Sequence, residues 1–156
     1  MAHILRSESL LDMGSVRKYV SEVNTEGESI ISYDLSTGEY PLKEITQVIL
    51  DQEFTQAEFI KLNTNQPGIS PLAIIPIKDE EDNLFLGCFT DDIPNIDTGD
   101  LTIIKVELGH KYFSGSEWVV IHTIDFVEVE DIMATIKVAD TGLFFCENIL
   151  VTDYTI

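Results

Sequence analysis

The run Leu101–Phe126, LTIIKVELGHKYFSGSEWVVIHTIDF, carries the clearest fold signal in the chain. Two stretches rich in β-branched and aromatic residues flank Ser114-Gly115-Ser116, the pattern of a β-hairpin. In the first stretch Ile104, Val106, Leu108 and Tyr112 alternate with Lys105, Glu107 and Lys111. Side chains alternate across a strand, so one face is expected in the core and the other in water. The second stretch, Trp118-Val119-Val120-Ile121, is apolar at every position, as a central strand covered on both faces would be.

Outward from this block, further strands are expected. Leu72–Thr90 reads as a hairpin, LAIIPI and LFLGCF across the tip KDEEDN at 78–83, with Pro76 marking a sheet edge or a bulge. Met133–Ala139 and Leu143–Cys146 read as a last hairpin across Asp140-Thr141-Gly142, and Ile149–Ile156 as a terminal strand. Ser29–Leu35 suits a strand, followed by a turn at Ser36–Glu39. Leu42–Leu50 satisfies both periods, with its β-branched residues favouring strand.

Two helices are expected. In Ser9–Asn24 the residues Val16, Tyr19, Val20 and Val23 fall at i, i+3, i+4 and i+7. In the middle, Thr55 and Glu58 have capping-box spacing, and Phe54 and Phe59 have that of a hydrophobic staple, predicting a short helix over 56–62. Asn63–Pro71 is a loop and a candidate subdomain boundary within one domain. The expected class is therefore α+β: an antiparallel sheet of about five to seven strands, an N-terminal helix and one short middle helix.

Composition bounds the function. With 28 Asp plus Glu against 9 Lys plus Arg, the net charge is −19. Phosphate binding needs clustered cations, so direct nucleic-acid binding is disfavoured. The segment MAHILRSESLLDMG lacks a basic region leading into a long apolar one, and no apolar run reaches the length that crosses a bilayer. No signal peptide and no membrane association are expected, and the expected location is cytoplasmic, in a cell or an infected host. Cys88 and Cys146 each neighbour Phe in strand-like runs and read as buried free thiols.

Motifs for chemistry are weak. Asp-Thr-Gly occurs at 97–99 and 140–142, the tripeptide with which aspartic proteases pair two carboxylates. Its copies sit too close together for two lobes, and tight turns favour the same residues. Glu107 and His110 have a metal-site spacing only on a helix, and the strand period puts them on opposite faces. Glu107 or His110 with His122 across the hairpin gives a possible acid–base pair for a small enzyme. The acidic loops do not match an EF-hand. No cofactor and no metal site are expected.

The acidic distribution points instead to protein contacts. Asp79, Glu80, Glu81, Asp82, Asp91, Asp92, Asp97 and Asp100, with Glu128, Glu130 and Asp131, form a negative field expected to meet a basic protein partner, for example a nucleic-acid-binding protein. The leading functional expectation is a non-enzymatic acidic inhibitor blocking such a surface, of the kind seen in phage anti-defence proteins, DNA mimics and immunity proteins. The alternative is a structural or assembly component of a virion or larger complex, with Trp118 and sheet edges as contacts and homo-oligomerisation open.

Overall fold

A computed structural model describes residues 3–23, 27–96, 98–140 and 142–154. The strands are β1 (Leu5–Arg6), β2 (Leu10–Asp12), β3 (Arg17–Tyr19), β4 (Ser29–Ile31), β5 (Leu42–Leu62), β6 (Ile75–Lys78), β7 (Leu84–Cys88), β8 (Ile103–Lys105), β9 (Lys111–Phe113), β10 (Trp118–Val120), β11 (Ile124–Val138), β12 (Leu143–Cys146) and β13 (Ile149–Thr152). One 3-10 turn, Val20–Glu22, follows β3. Three sheets result, ordered β1-β11-β5-β4, β10-β9-β6-β7-β8 and β13-β12-β2-β3. Among the described residues every strand pairing is antiparallel except β7 with β8.

The frame is the ribbon of β5 and β11, one long ladder from Ile124–Leu62 to Val138–Ile45 with register shifts at Ile132/Ala134 and Lys137/Val138. Ile45, Thr46, Val48, Ile49, Val127, Val129 and Ile136 supply the β-branched residues that suit an extended backbone. The ladder slips between Ile132 and Ala134, where residues 51–53 oppose Met133 alone. Such a bulge bends the strand and re-aims its side chains. The main core lies where the three sheets meet, around Ile4, Leu11, Ile60, Ile75, Phe144 and Val151, all essentially excluded from solvent.

The α+β expectation fails: the described residues contain no α-helix. The expected N-terminal helix is a hairpin, with Leu10 opposite Tyr19 and Asp12 opposite Arg17. Gly14, at φ +97°, turns the chain between them, a conformation few other residues tolerate. Half of the supposed buried stripe is in water: Val16 is 51% exposed and Tyr19 45%. The expected middle helix is the continuous second half of β5, paired residue for residue with β11. Phe54 and Phe59, the would-be staple, project to opposite faces, one 67% and the other 1% exposed.

Within the opening block, the hairpin across Ser114–Glu117 is present, with Phe113 opposite Trp118 and Val120 opposite Lys111. Its first arm is shorter than the alternation implied, because the chain turns between β8 and β9 at Glu107–His110. The apolar β10 forms a half-buried sheet edge rather than the centre. The β6–β7 hairpin stands, but Pro76 marks neither an edge nor a bulge: it lies opposite Leu86 in regular register, on a strand between β7 and β9, and β9 pairs with β6 only at Ile77 and Lys78. β11 and β12 do not form the expected hairpin; the chain passes from the first sheet to the third, and β12 lies between β13 and β2. Residues 155–156 of the expected terminal strand fall outside the described residues, and the rest is β13. Both cysteines are buried and free, as the sequence implied.

Candidate active site

β11 brings the two described ends of the chain together. β1 pairs with it at Leu5–Ala134, carrying His3 to Thr135, whose hydroxyl lies 2.7 Å from His3 Nδ1. On the other side of the ring, His3 Nε2 lies 2.9 Å from Asp51 Oδ1. Asp51 sits in the β5 bulge, which turns its carboxylate towards the N-terminal segment. In neutral His3, Asp51 accepts the Nε2 proton and leaves the Nδ1 lone pair to accept the Thr135 hydroxyl. Carboxylate, imidazole and hydroxyl thus form a chain in which the ring can take the hydroxyl proton. Thr135 is fully buried, so its accessible acyl groups are those of its own polypeptide.

Two residues further on, the C-terminal segment meets the same face of β11, about 7 Å away by strand rise. The Lys137 ammonium donates to the Asp153 main-chain carbonyl at 2.7 Å. The Asp153 carboxylate accepts the Val138 amide at 2.9 Å, and the Asp153 amide donates to Gly142 at 2.8 Å. Burial raises the Asp153 carboxyl above the usual carboxylate range, with the Val138 amide and Lys137 charge opposing in part. Gly142, at φ +65°, leaves space for this carboxylate: a Cβ there would stand 2.4 Å from Oδ1. Thr152 anchors the approach, its amide and hydroxyl both donating to the Ile74 carbonyl.

The thiols take no part in this geometry. Burial raises Cys88, and it raises fully buried Cys146 much further, so both stay protonated and poorly nucleophilic. A groove of about 670 Å³ lies elsewhere; Arg17, Tyr40, Asn65, Tyr112, Glu117 and Asn148 line part of it.

The residues singled out from sequence scatter over the surface. Asp79 accepts the Glu81 and Asn83 amides and so holds its own turn, with Glu80 and Glu81 beside it. Asp82 pairs with Lys111 at 2.7 Å, and Asp91 pairs with Lys105. Asp92 and Asp100 are exposed in the following loop, and Asp97 lies outside the described residues. Glu128 and Glu130 point outward from β11, whereas Asp131 is buried against Arg6, Ser7 and the Glu8 amide. Asp140 pairs with Lys43, and Thr141 of its Asp-Thr-Gly copy lies outside the described residues. Among the described residues no hydrogen bond joins the His122 ring to Glu107 or His110; His110 Nδ1 accepts the Glu107 amide within one turn, and the His122 main-chain amide donates to Asn63. No group of three or more metal-ligating side chains occurs among the described residues. Sequence reading missed His3, Asp51, Thr135, Lys137 and Asp153, and no local spacing could have supplied them, since His3 and Thr135 are 132 residues apart.

No helix among the described residues is long and apolar enough to cross a membrane. No protein-family model matches the chain, and no curated protein matches its sequence. Solved structures do resemble it. The DnaB intein from Synechocystis sp. PCC 6803 superposes with TM-score 0.64 at 11% identity, over 97% of this chain and 98% of that one. A bacterial intein-like domain from Clostridium thermocellum gives 0.67 at 11% identity, over 97% and 99%. The gp41-1 intein gives 0.61 at 18% identity, again over 97% and 99%. Inteins are protein-splicing domains, which process their own polypeptide catalytically. The expectation of a non-enzymatic acidic inhibitor, DNA mimic or immunity protein is thereby overturned, since net charge does not define a fold and the fold's neighbours are of another kind. Along nearly its whole length, this chain has an intein-like fold.

Proposed function

We propose that this chain is an autoprocessing domain that acts in cis on its own backbone at the Asp153–Tyr154 peptide bond. The observation that carries the reading is the Lys137 ammonium on the Asp153 carbonyl oxygen, beside that residue's own half-buried carboxyl. The intein-like fold supports it, because it brings both described chain ends to one strand.

The step is a ring closure. A carboxyl oxygen of Asp153 attacks its own main-chain carbonyl carbon, forming a five-membered anhydride. Lys137 stabilises the oxyanion as it develops. The C–N bond to Tyr154 breaks, and the carboxyl proton passes to the departing nitrogen, which becomes a new amino terminus. Water then opens the anhydride and restores two carboxyl groups at Asp153. Proximity within one residue makes this attack unimolecular. The Asp51–His3–Thr135 chain on the same face adds a base and a hydroxyl that can accept an acyl group from the neighbouring backbone.

The test is the rate of release of a folded reporter domain fused after Ile156. Lys137→Met is expected to slow release by about 10²-fold, the usual effect of removing one oxyanion donor. Asp153→Ala should abolish it. Because the carboxyl supplies the proton, release should be fastest below the raised Asp153 pKa and fall as pH rises through it. A rate unchanged in both variants removes the proposal.

A further inference from the structure

The outward face of the β5–β11 ribbon carries features that the chain-end chemistry does not use. Cross-strand pairing is regular from Phe126–Ile60 to Ile132–Phe54, so alternate residues share one face. That face presents Phe54 near one end and Phe126 near the other, 67% and 49% exposed, about 20 Å apart by strand rise. Between them stand Glu58, Glu128 and Glu130. Glu58 and Glu128 are directly opposite each other, a like-charge arrangement that costs stability. No cation among the described residues forms an ion pair with any of the three; the nearest relief is a 3.2 Å bond from the Gln56 amide to Glu128. The hairpin-tip carboxylates differ, because Asp79 caps its own turn and Asp82 has Lys111. Along Gln52–Glu58, β5 has β11 on one side and, among the described residues, no strand on the other. An open edge offers main-chain hydrogen bonds to an added strand.

We infer that this ribbon face and edge form a docking surface for a basic, extended polypeptide segment, with Phe54 and Phe126 as anchors and Glu58, Glu128 and Glu130 as counter-charges. Charge complementarity selects the occupant. A second copy would bring the same carboxylates and a further net −19, which opposes self-pairing. A cationic strand relieves the Glu58–Glu128 repulsion and completes the open edge. The inference goes beyond the cis-processing reading and stands independently of it.

The probe is a fluorescein-labelled peptide of about ten alternating lysines and valines, the length one ribbon edge accommodates, with an alternating glutamate–valine peptide as control. Binding is read by fluorescence anisotropy at low and high salt. The wild-type protein should bind the lysine peptide alone, more weakly as salt rises. Glu58→Gln, Glu128→Gln and Glu130→Gln together, and separately Phe54→Ser with Phe126→Ser, should each weaken binding by about tenfold or more. All five positions are solvent-facing, and circular dichroism confirms the fold of each variant. Neutralising Asp79, Glu80 and Glu81 instead should change binding less than about twofold, as expected of distant, screened charges. Equal weakening by this control set would show attraction to the net charge alone and overturn the inference, as would absence of binding by wild type. A wild-type dimer in sedimentation that Phe54→Ser dissociates would assign the face to a second copy, and would also overturn it.

Discussion

Asp131 shows how far a single residue's setting departs from its sequence appearance. In the sequence it ends an acidic run; in the fold it pins the N-terminal segment to β11. Burial disfavours its charge most strongly, but bonds from Ser7, the Ile132 amide, Arg6 and the Glu8 amide together outweigh that and hold its pKa below 3.8. Its stabilisation is therefore complete above pH 3.8 and lost as pH falls through the depressed value. Asp131→Ala should lower stability by about 1–3 kcal/mol in urea unfolding, because it unpairs the Ser7 hydroxyl and Glu8 amide and leaves half-buried Arg6 only Glu8 and the Pro67 carbonyl. Asp153 has the opposite sign. Its folded pKa is raised, so stability declines as pH climbs from 3.8 through the raised value, and Asp153→Asn should flatten that slope. Gly142→Ala should cost about 1–3 kcal/mol, through left-handed strain and displacement of the Asp153 carboxylate. Loss of hydrogen-exchange protection at the Val138 amide would report that displacement.

At the scale of elements, the ribbon separates what the sequence states locally from what pairing decides. Leu42–Leu50 read as strand on its β-branched residues, and it is one. Gln56–Leu62 read as helix on its capping box and is strand, because β11 offers a partner at every position and a helix would forfeit that ladder. The signal was genuine but local, and tertiary pairing overrode it. The N-terminal stripe failed differently: its helical spacing is coincidental, because the chain reverses at Gly14 between β2 and β3. The hairpins at 75–88 and 111–120 were legible because their turns and strands agree locally. A proline at Val129, opposite Ala57, removes one ladder donor and should destabilise the chain by about 1–3 kcal/mol. The same change at exposed Glu39, outside any strand, should cost much less.

For the whole molecule, the informative relation is one that no segment carries. His3, Asp51, Thr135, Lys137 and Asp153 meet only because β1 and β13 deliver the chain ends to the second half of β11. Their separations leave no periodicity to read, and the acidic excess drew attention to carboxylates that are mostly solvated or locally paired. The two thiols, by contrast, were legible as buried, and they should resist a thiol reagent until the protein is unfolded. The most direct measurement is the intact mass of the products from a wild-type fusion carrying a folded domain after Ile156, followed across acidic to neutral pH. The account predicts a fragment whose first residue is Tyr154 and a partner ending at Asp153, accumulating faster at acidic pH. A folded fusion that stays at full mass throughout, or one cut at another bond, would contradict it.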